Sequence, residues 1–161
     1  MNARNDSEST MKSAGNMTVL KKGTALFHGT DCDDFDETTE SLNGPAWLSS
    51  SRGVAQYFAT RPGGWGGTKR VIEYALAEDL ELHLVSSQRA MAQLADEHDI
   101  AVTGVEEMRE SVEASGIPGW VIPGNYADGD DILIVRTDLL DYVGTTPASA
   151  GAQGTASKED A

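Results

Sequence analysis

Between Thr24 and Thr137, six short apolar runs are separated by glycine, proline and acidic residues, and only three stretches have helical spacing. A run of four to eight alternating or continuous apolar residues closed by turn residues reads as a strand. By that test TALFH (24–28), AWLSS (46–50), RVIEYAL (70–76), LELHLV (80–85), WVIP (120–123) and DILIVRT (131–137) are strands, the last being the most regular. Helical spacing covers 52–60, where Val54 and Phe58 lie four apart behind the serines of 49–51, which suit an N-cap. It also covers 87–98, with Met91, Leu94 and Ala95 on one face, and 104–114, with Val105, Met108 and Val112. Pro62 ends the first helix, GGWGG (63–67) reads as a flexible loop, and GNYADGDD (124–131) as a turn-rich loop. Strands outnumber helices and the helices are inserted between them. That pattern is a mixed α/β (α+β) domain built on a compact sheet.

A chain of 161 residues suits one such domain. Residues 1–16 and 145–161 are polar or small and offer little apolar surface to offset the entropy of ordering. The expected division is a mobile tail over 1–16, the domain over 17–144 and a second mobile tail over 145–161. The charge balance, 12 basic against 26 acidic residues, argues against tightly held DNA or RNA, because phosphate binding requires a basic face. Such acidity is common in soluble domains, and mimicry of DNA is the rarer alternative. The one cysteine, Cys32, excludes an internal disulfide, and Asp31, Asp33 and Asp34 around it blunt its nucleophilicity. His28, His83 and His98 have no partners at ligand spacing, so no metal site is expected. No apolar run approaches a membrane span and no apolar signal region opens the chain, so the expected address is the cytoplasm, with no membrane partner.

Three places could hold chemistry. In Phe27-His28-Gly29-Thr30 a strand-end imidazole stands beside a backbone without a side chain, open to a flat ligand. A lone histidine is nevertheless more often structural. In Trp47-Leu48-Ser49 and the helix bearing Tyr57, aromatic rings offer stacking surfaces and hydroxyls offer directional donors. Core packing and helix capping explain the same residues. The third place is Asp128-Gly129-Asp130-Asp131, either a solvated turn or a carboxylate aimed over a cleft.

The order of these features resembles the ADP-ribosyltransferase superfamily, including its poly-ADP-ribose polymerase-like, His-Tyr-Glu branch. The likeness runs from about Ala25 to Val143 through HGT, the WLS strand, Ala-x-Tyr-Phe, Val-x-Glu-Tyr-x-Leu, the Gly-x-x-Gly-Trp-Val-Ile segment and the acid-led last strand. It implies a split β-sandwich with flanking helices that binds NAD as co-substrate. By that likeness His28 would bond the adenine-side ribose, and Gly29, with Thr30 beside it, would hold the nicotinamide amide through its backbone. Trp47 falls at or next to a tyrosine of the family's second strand, Tyr57 would stack on nicotinamide, and Ser49 lies among the cofactor-binding residues. Asp131 aligns with the catalytic glutamate, which bonds a ribose hydroxyl and steadies the oxocarbenium-like sugar. Adjacent strand positions face opposite ways, so Asp130 competes for that role. Trp47 lacks a hydroxyl and aspartate is one methylene shorter than glutamate. With Asp130 as the acid, Asp128 completes the acid-x-acid spacing of arginine-modifying members; with Asp131 it does not. Tyr126, in the loop before the acid, is placed either to meet an acceptor or to anchor the loop. The resemblance implies a monomeric enzyme that moves ADP-ribose to a protein acceptor. The alternatives are an inactive binding or inhibitor protein on the same fold and an RNA 2′-phosphotransferase relative, the last disfavoured by the scarcity of basic residues.

Overall fold

The computed structural model describes residues 16–33, 42–126 and 129–148; most of the two expected tails, most of the acidic loop 31–40, and Asp128 lie outside the described residues. The strands are β1 (Asn16–Leu20), β2 (Ala25–Thr30), β3 (Ala46–Ser49), β4 (Arg70–Leu76), β5 (Leu80–Leu84), β6 (Gly119–Tyr126), β7 (Gly129–Ile134) and β8 (Leu140–Pro147). The α-helices are α1 (Arg52–Thr60), α2 (Gln88–His98) and α3 (Val105–Ser115), and a 3-10 turn spans Thr137–Leu139. The strands form one eight-stranded sheet in the order β1-β5-β6-β7-β3-β2-β4-β8. Every neighbouring pair is antiparallel except β5 and β6, whose crossover carries α2 and α3.

The sheet is continuous in order but not in pairing. β2 and β4 match over six residues, from Ala25↔Ala75 to Thr30↔Arg70, whereas β2 and β3 share the single pair Phe27↔Ser49. The sheet therefore divides between β2 and β3. A core of Leu26, Leu48, Ile72, Tyr74, Leu82, Val121, Ile132 and Ile134 draws on both halves. On the opposite face α2 and α3 cover one half through Leu94, Ala95, Val112, Trp120 and Leu133, while α1 covers the other through Ala55, Ala59 and Val71. This is the mixed α+β architecture that the alternation of runs implies.

The helix ends follow ordinary chemistry. Ser51 accepts from the N–H groups of Gly53 and Val54 at 3.1 and 3.4 Å, satisfying two donors of α1. Ser87 caps α2, and Gly116, at φ 83°, ends α3 in the left-handed region.

Two strands were not foreseen. β1 is an edge strand whose Met17 and Val19 are largely exposed, so it has little apolar signature. β8 continues through Thr145, Thr146 and Pro147, beyond the expected domain end at 144, because its backbone pairs with β4 down to Arg70↔Pro147. The expected loop 124–131 is a hairpin whose last pair is Tyr126↔Gly129, and β7 stops at Ile134 rather than at Thr137.

Gly29 fixes how α1 meets the sheet. A Cβ added there would lie 1.7 Å from the Ala55 carbonyl oxygen, so only glycine lets the helix backbone come this close. Gly29→Ala should cost about 3 kcal/mol and lower Tm by about 10 °C, from forced overpacking. Gly144→Ala, with nothing within 4 Å of the added Cβ, should stay within about 0.5 kcal/mol. Thermal unfolding followed by circular dichroism checks the contrast, and equal melting of the two variants would refute the packing argument.

Candidate active site

The division between β2 and β3 is bridged by a side chain. His28 Nδ1 lies 2.8 Å from the Trp47 carbonyl oxygen. A carbonyl only accepts, so Nδ1 carries the proton. In β2 the alternation of side chains puts Leu26, His28 and Thr30 on the face of the shared core, and Phe27 and Gly29 under α1. The pairs Phe27↔Ser49 and Ser49↔Asp131 carry the α1 face across β3 to β7. The backbones of His28 and Asp131 thus stand two strands apart on the two sides of the break, with the His28 side chain on the core face and that of Asp131 on the α1 face.

The serine run ties this region together. Ser49 is buried; its hydroxyl donates to the Asp130 carbonyl at 3.0 Å and accepts from the Ser51 N–H at 3.1 Å. The Ser50 hydroxyl accepts from the Asp130 N–H at 2.9 Å. Ser49 therefore spends its one donor on the β3–β7 junction, and Ser51 is the cap. The Trp47 indole is directed into the helix-covered core, edge-on to Trp120 with centroids 5.9 Å apart. Its contribution beside His28 is its carbonyl. Thr30 is buried, and its hydroxyl accepts from the Cys32 N–H at 3.0 Å.

The two adjacent aspartates have different surroundings. Asp130 Oδ1 accepts from the Gly124 N–H at 2.8 Å and braces the irregular stretch of β6 between Ile122 and Tyr126. Asp131 is half-buried, and the Asn125 side-chain amide donates to its Oδ2 at 3.3 Å. Burial pushes its carboxyl up to about 6, against the opposing pull of hydrogen bonding. Tyr126 in turn is raised above its usual value, first by burial and then by the Asp131 charge.

Beside the acid lies an aromatic row. Phe58 meets Tyr126 edge-on at 5.5 Å and Tyr57 at 5.3 Å, and the Arg61 guanidinium sits 4.9 Å from the Phe58 centroid. Tyr57 is 59% exposed, available to a ring that approaches α1 from solvent.

The glycine-rich loop is not the flexible segment that its composition suggests. Asp31, three residues past His28, accepts the N–H groups of Trp65 and Gly66 on its two carboxylate oxygens, each at 3.0 Å, and its carbonyl accepts from Gly67 at 2.8 Å. Asp33 Oδ1 takes the Thr68 N–H at 3.1 Å and lies 3.7 Å from Arg70. The two N–H bonds hold the Asp31 carboxyl below its usual range. Asn125, Phe58, Arg61 and the Asp31 clamp were not singled out from the sequence. The clamp was discoverable by asking which acceptors satisfy the N–H groups of GGWGG.

A cavity of about 550 Å³ lies at the other end of β3 and β7, lined by residues including Asn43, Tyr74, Glu113, Asp138 and Tyr142, and contains none of these residues. Among the described residues no three His, Cys, Asp or Glu side chains cluster to hold a metal, and no helix is long and apolar enough to cross a membrane.

The chain thus has a mixed α+β fold with a divided antiparallel sheet and a half-buried carboxylate near the division. No protein-family model matches it, and no curated protein matches it at a significant level. Among solved structures it is similar to a chain of the M. tuberculosis MbcT–MbcA toxin–antitoxin complex, with TM-score 0.54 and 10% identity over 86% of this chain and 90% of that one. At that identity the likeness is one of fold.

Asp131 gives a test of these surroundings. Its folded pKa, about 6, lies above the unfolded value of 3.8, so its contribution is full below pH 3.8 and is lost as pH rises through 6. Between pH 4 and pH 8 the wild-type protein should lose about 1–2 kcal/mol on this account, discounted for partial exposure. Asp131→Asn should remove that loss, gaining stability relative to wild type at pH 8 but not at pH 4. Urea unfolding of both proteins at the two pH values measures it.

Proposed function

We propose that the protein is an NAD-dependent ADP-ribosyltransferase that moves ADP-ribose from NAD to a protein acceptor and releases nicotinamide. The observation that carries this reading is the half-buried Asp131 carboxyl, on the same sheet face as Gly29 and beside the Tyr126, Phe58 and Tyr57 rings, with His28 bonded at the division between β2 and β3. In this reading His28 bonds the adenine-side ribose, the Gly29 backbone takes the nicotinamide amide, and Tyr57 stacks on the departing ring. Asp131 then faces the nicotinamide ribose. Breaking the bond from ribose C1′ to nicotinamide sends the electron pair to the ring nitrogen and leaves positive charge on the sugar. An ionised carboxylate stabilises that charge. Asp130 is already engaged with Gly124, which favours Asp131 as the acid. NAD is a co-substrate here.

A protein acceptor fits a strongly acidic chain with few basic residues for RNA. The fold likeness to a chain from a complex of two proteins adds support for a protein partner. The cytoplasm, where NAD is available, is the address this reading requires. A second reading, an inactive binding or inhibitor protein, draws support from the shorter aspartate and from the Trp47 indole packing into the core.

The test is nicotinamide release from NAD by the purified protein, alone and with lysate. His28→Ala and Asp131→Ala should each lower release by about 100-fold or more while melting as folded proteins. Since the ionised acid is the working form, wild-type rate should climb with pH through about 6. A folded wild-type protein that releases no nicotinamide under either condition would leave the inactive binder as the reading.

A further inference from the structure

We propose that Trp65 is a stacking face for the purine base of the nucleotide held at His28, and that Asp31 is the positioning residue that keeps it there. This rests on the NAD reading, since that reading puts the adenine-side ribose at His28 and so the base it carries next to it.

Trp65 is 78% exposed, an unusual position for the largest apolar side chain, and it sits in a loop otherwise made of glycine. That loop has a fixed place. Asp31 binds two successive N–H groups, Trp65 and Gly66, with its two carboxylate oxygens, and the Asp31 carbonyl binds Gly67. The fit is tight enough that a Cβ on Gly64 would fall 2.3 Å from Asp31 Oδ2, and one on Gly67 would fall 2.4 Å from Asp33 Oδ2. The glycines are therefore needed for close approach to the acids. Asp31 follows His28 by three residues, a span of at most about 10 Å. The pairing Thr30↔Arg70 brings the far end of the loop to the same end of β2. The indole is thus held at the end of β2 that follows His28 and Gly29.

Stacking suits the chemistry of the site. The chain carries a net charge of −14, which opposes a diphosphate, and a group indifferent to charge adds affinity without that cost. A π-face against a base is such a group, and it loses about ten- to hundredfold in affinity when cut to alanine.

The experiment is calorimetric titration of NAD into the full chain and into His28→Ala, Trp65→Ala, Trp65→Phe, Asp31→Ala and the Asp31→Ala/Trp65→Ala double variant, each checked for wild-type-like circular dichroism. The expected results are tenfold or greater weakening in Trp65→Ala, most of the affinity retained in Trp65→Phe, and a double variant no weaker than Trp65→Ala. That last result identifies Asp31 as acting through the indole; additive losses would overturn its positioning role. If wild type and His28→Ala differ while Trp65→Ala binds NAD as wild type does, this inference falls and the NAD reading stands. If wild type does not bind NAD, or His28→Ala binds it equally well, the NAD reading falls and takes this inference with it.

Discussion

One ladder pair, Phe27↔Ser49, joins the two halves of the sheet, and much of the molecule is arranged to tolerate its being alone. The backbone groups that lose partners where β2 and β3 diverge need others, because buried amides without partners are costly. His28 supplies one by bonding the Trp47 carbonyl, and on the other side of β3 Ser49 and Ser50 tie its end to β7 by bonding both backbone groups of Asp130. α1 starts directly from that stitched turn, and Gly29 lets it lie against β2. Break, histidine, serine turn and helix form one mechanical unit. A shift in any of them moves the others.

The acidic residues show how little net charge says about individual sites. Asp31 is satisfied by backbone N–H groups and held below its usual pKa, whereas Asp131, taken out of water beside Tyr126, is raised. Asp130 and Asp131, neighbours in sequence, also differ: one accepts from the Gly124 N–H, the other from the Asn125 amide. For Asp131, desolvation outweighs hydrogen bonding in setting the balance.

Residues whose local pattern coincides with their tertiary role were legible in the sequence. α1, β4 and β5 fall where periodicity places them, because buried faces such as Val54, Ile72 and Leu82 leave their spacing in the chain. β1 and β8 left no such mark. They are edge strands held by backbone pairing, which depends on no side-chain code. For the same reason GGWGG reads as flexible by composition, though it is fixed by a carboxylate more than thirty residues away in sequence. At the site, spacing singled out His28, Gly29 and the aspartate pair. Which aspartate bonds Asn125, and that the Trp47 indole turns into the core against Trp120, depend on contacts that arrive from β6.

The Asp31 clamp changes the entropy of recognition. Four glycines in a row of five are the most mobile composition a loop can have, and ordering such a segment costs about 1–2 kcal/mol per residue. Here that cost falls on folding, where core formation offsets it, rather than on the arrival of a ligand. A partner of any kind meeting Trp65 encounters a surface already in one shape. Its association should therefore be limited by diffusion and orientation rather than by waiting for the loop to form.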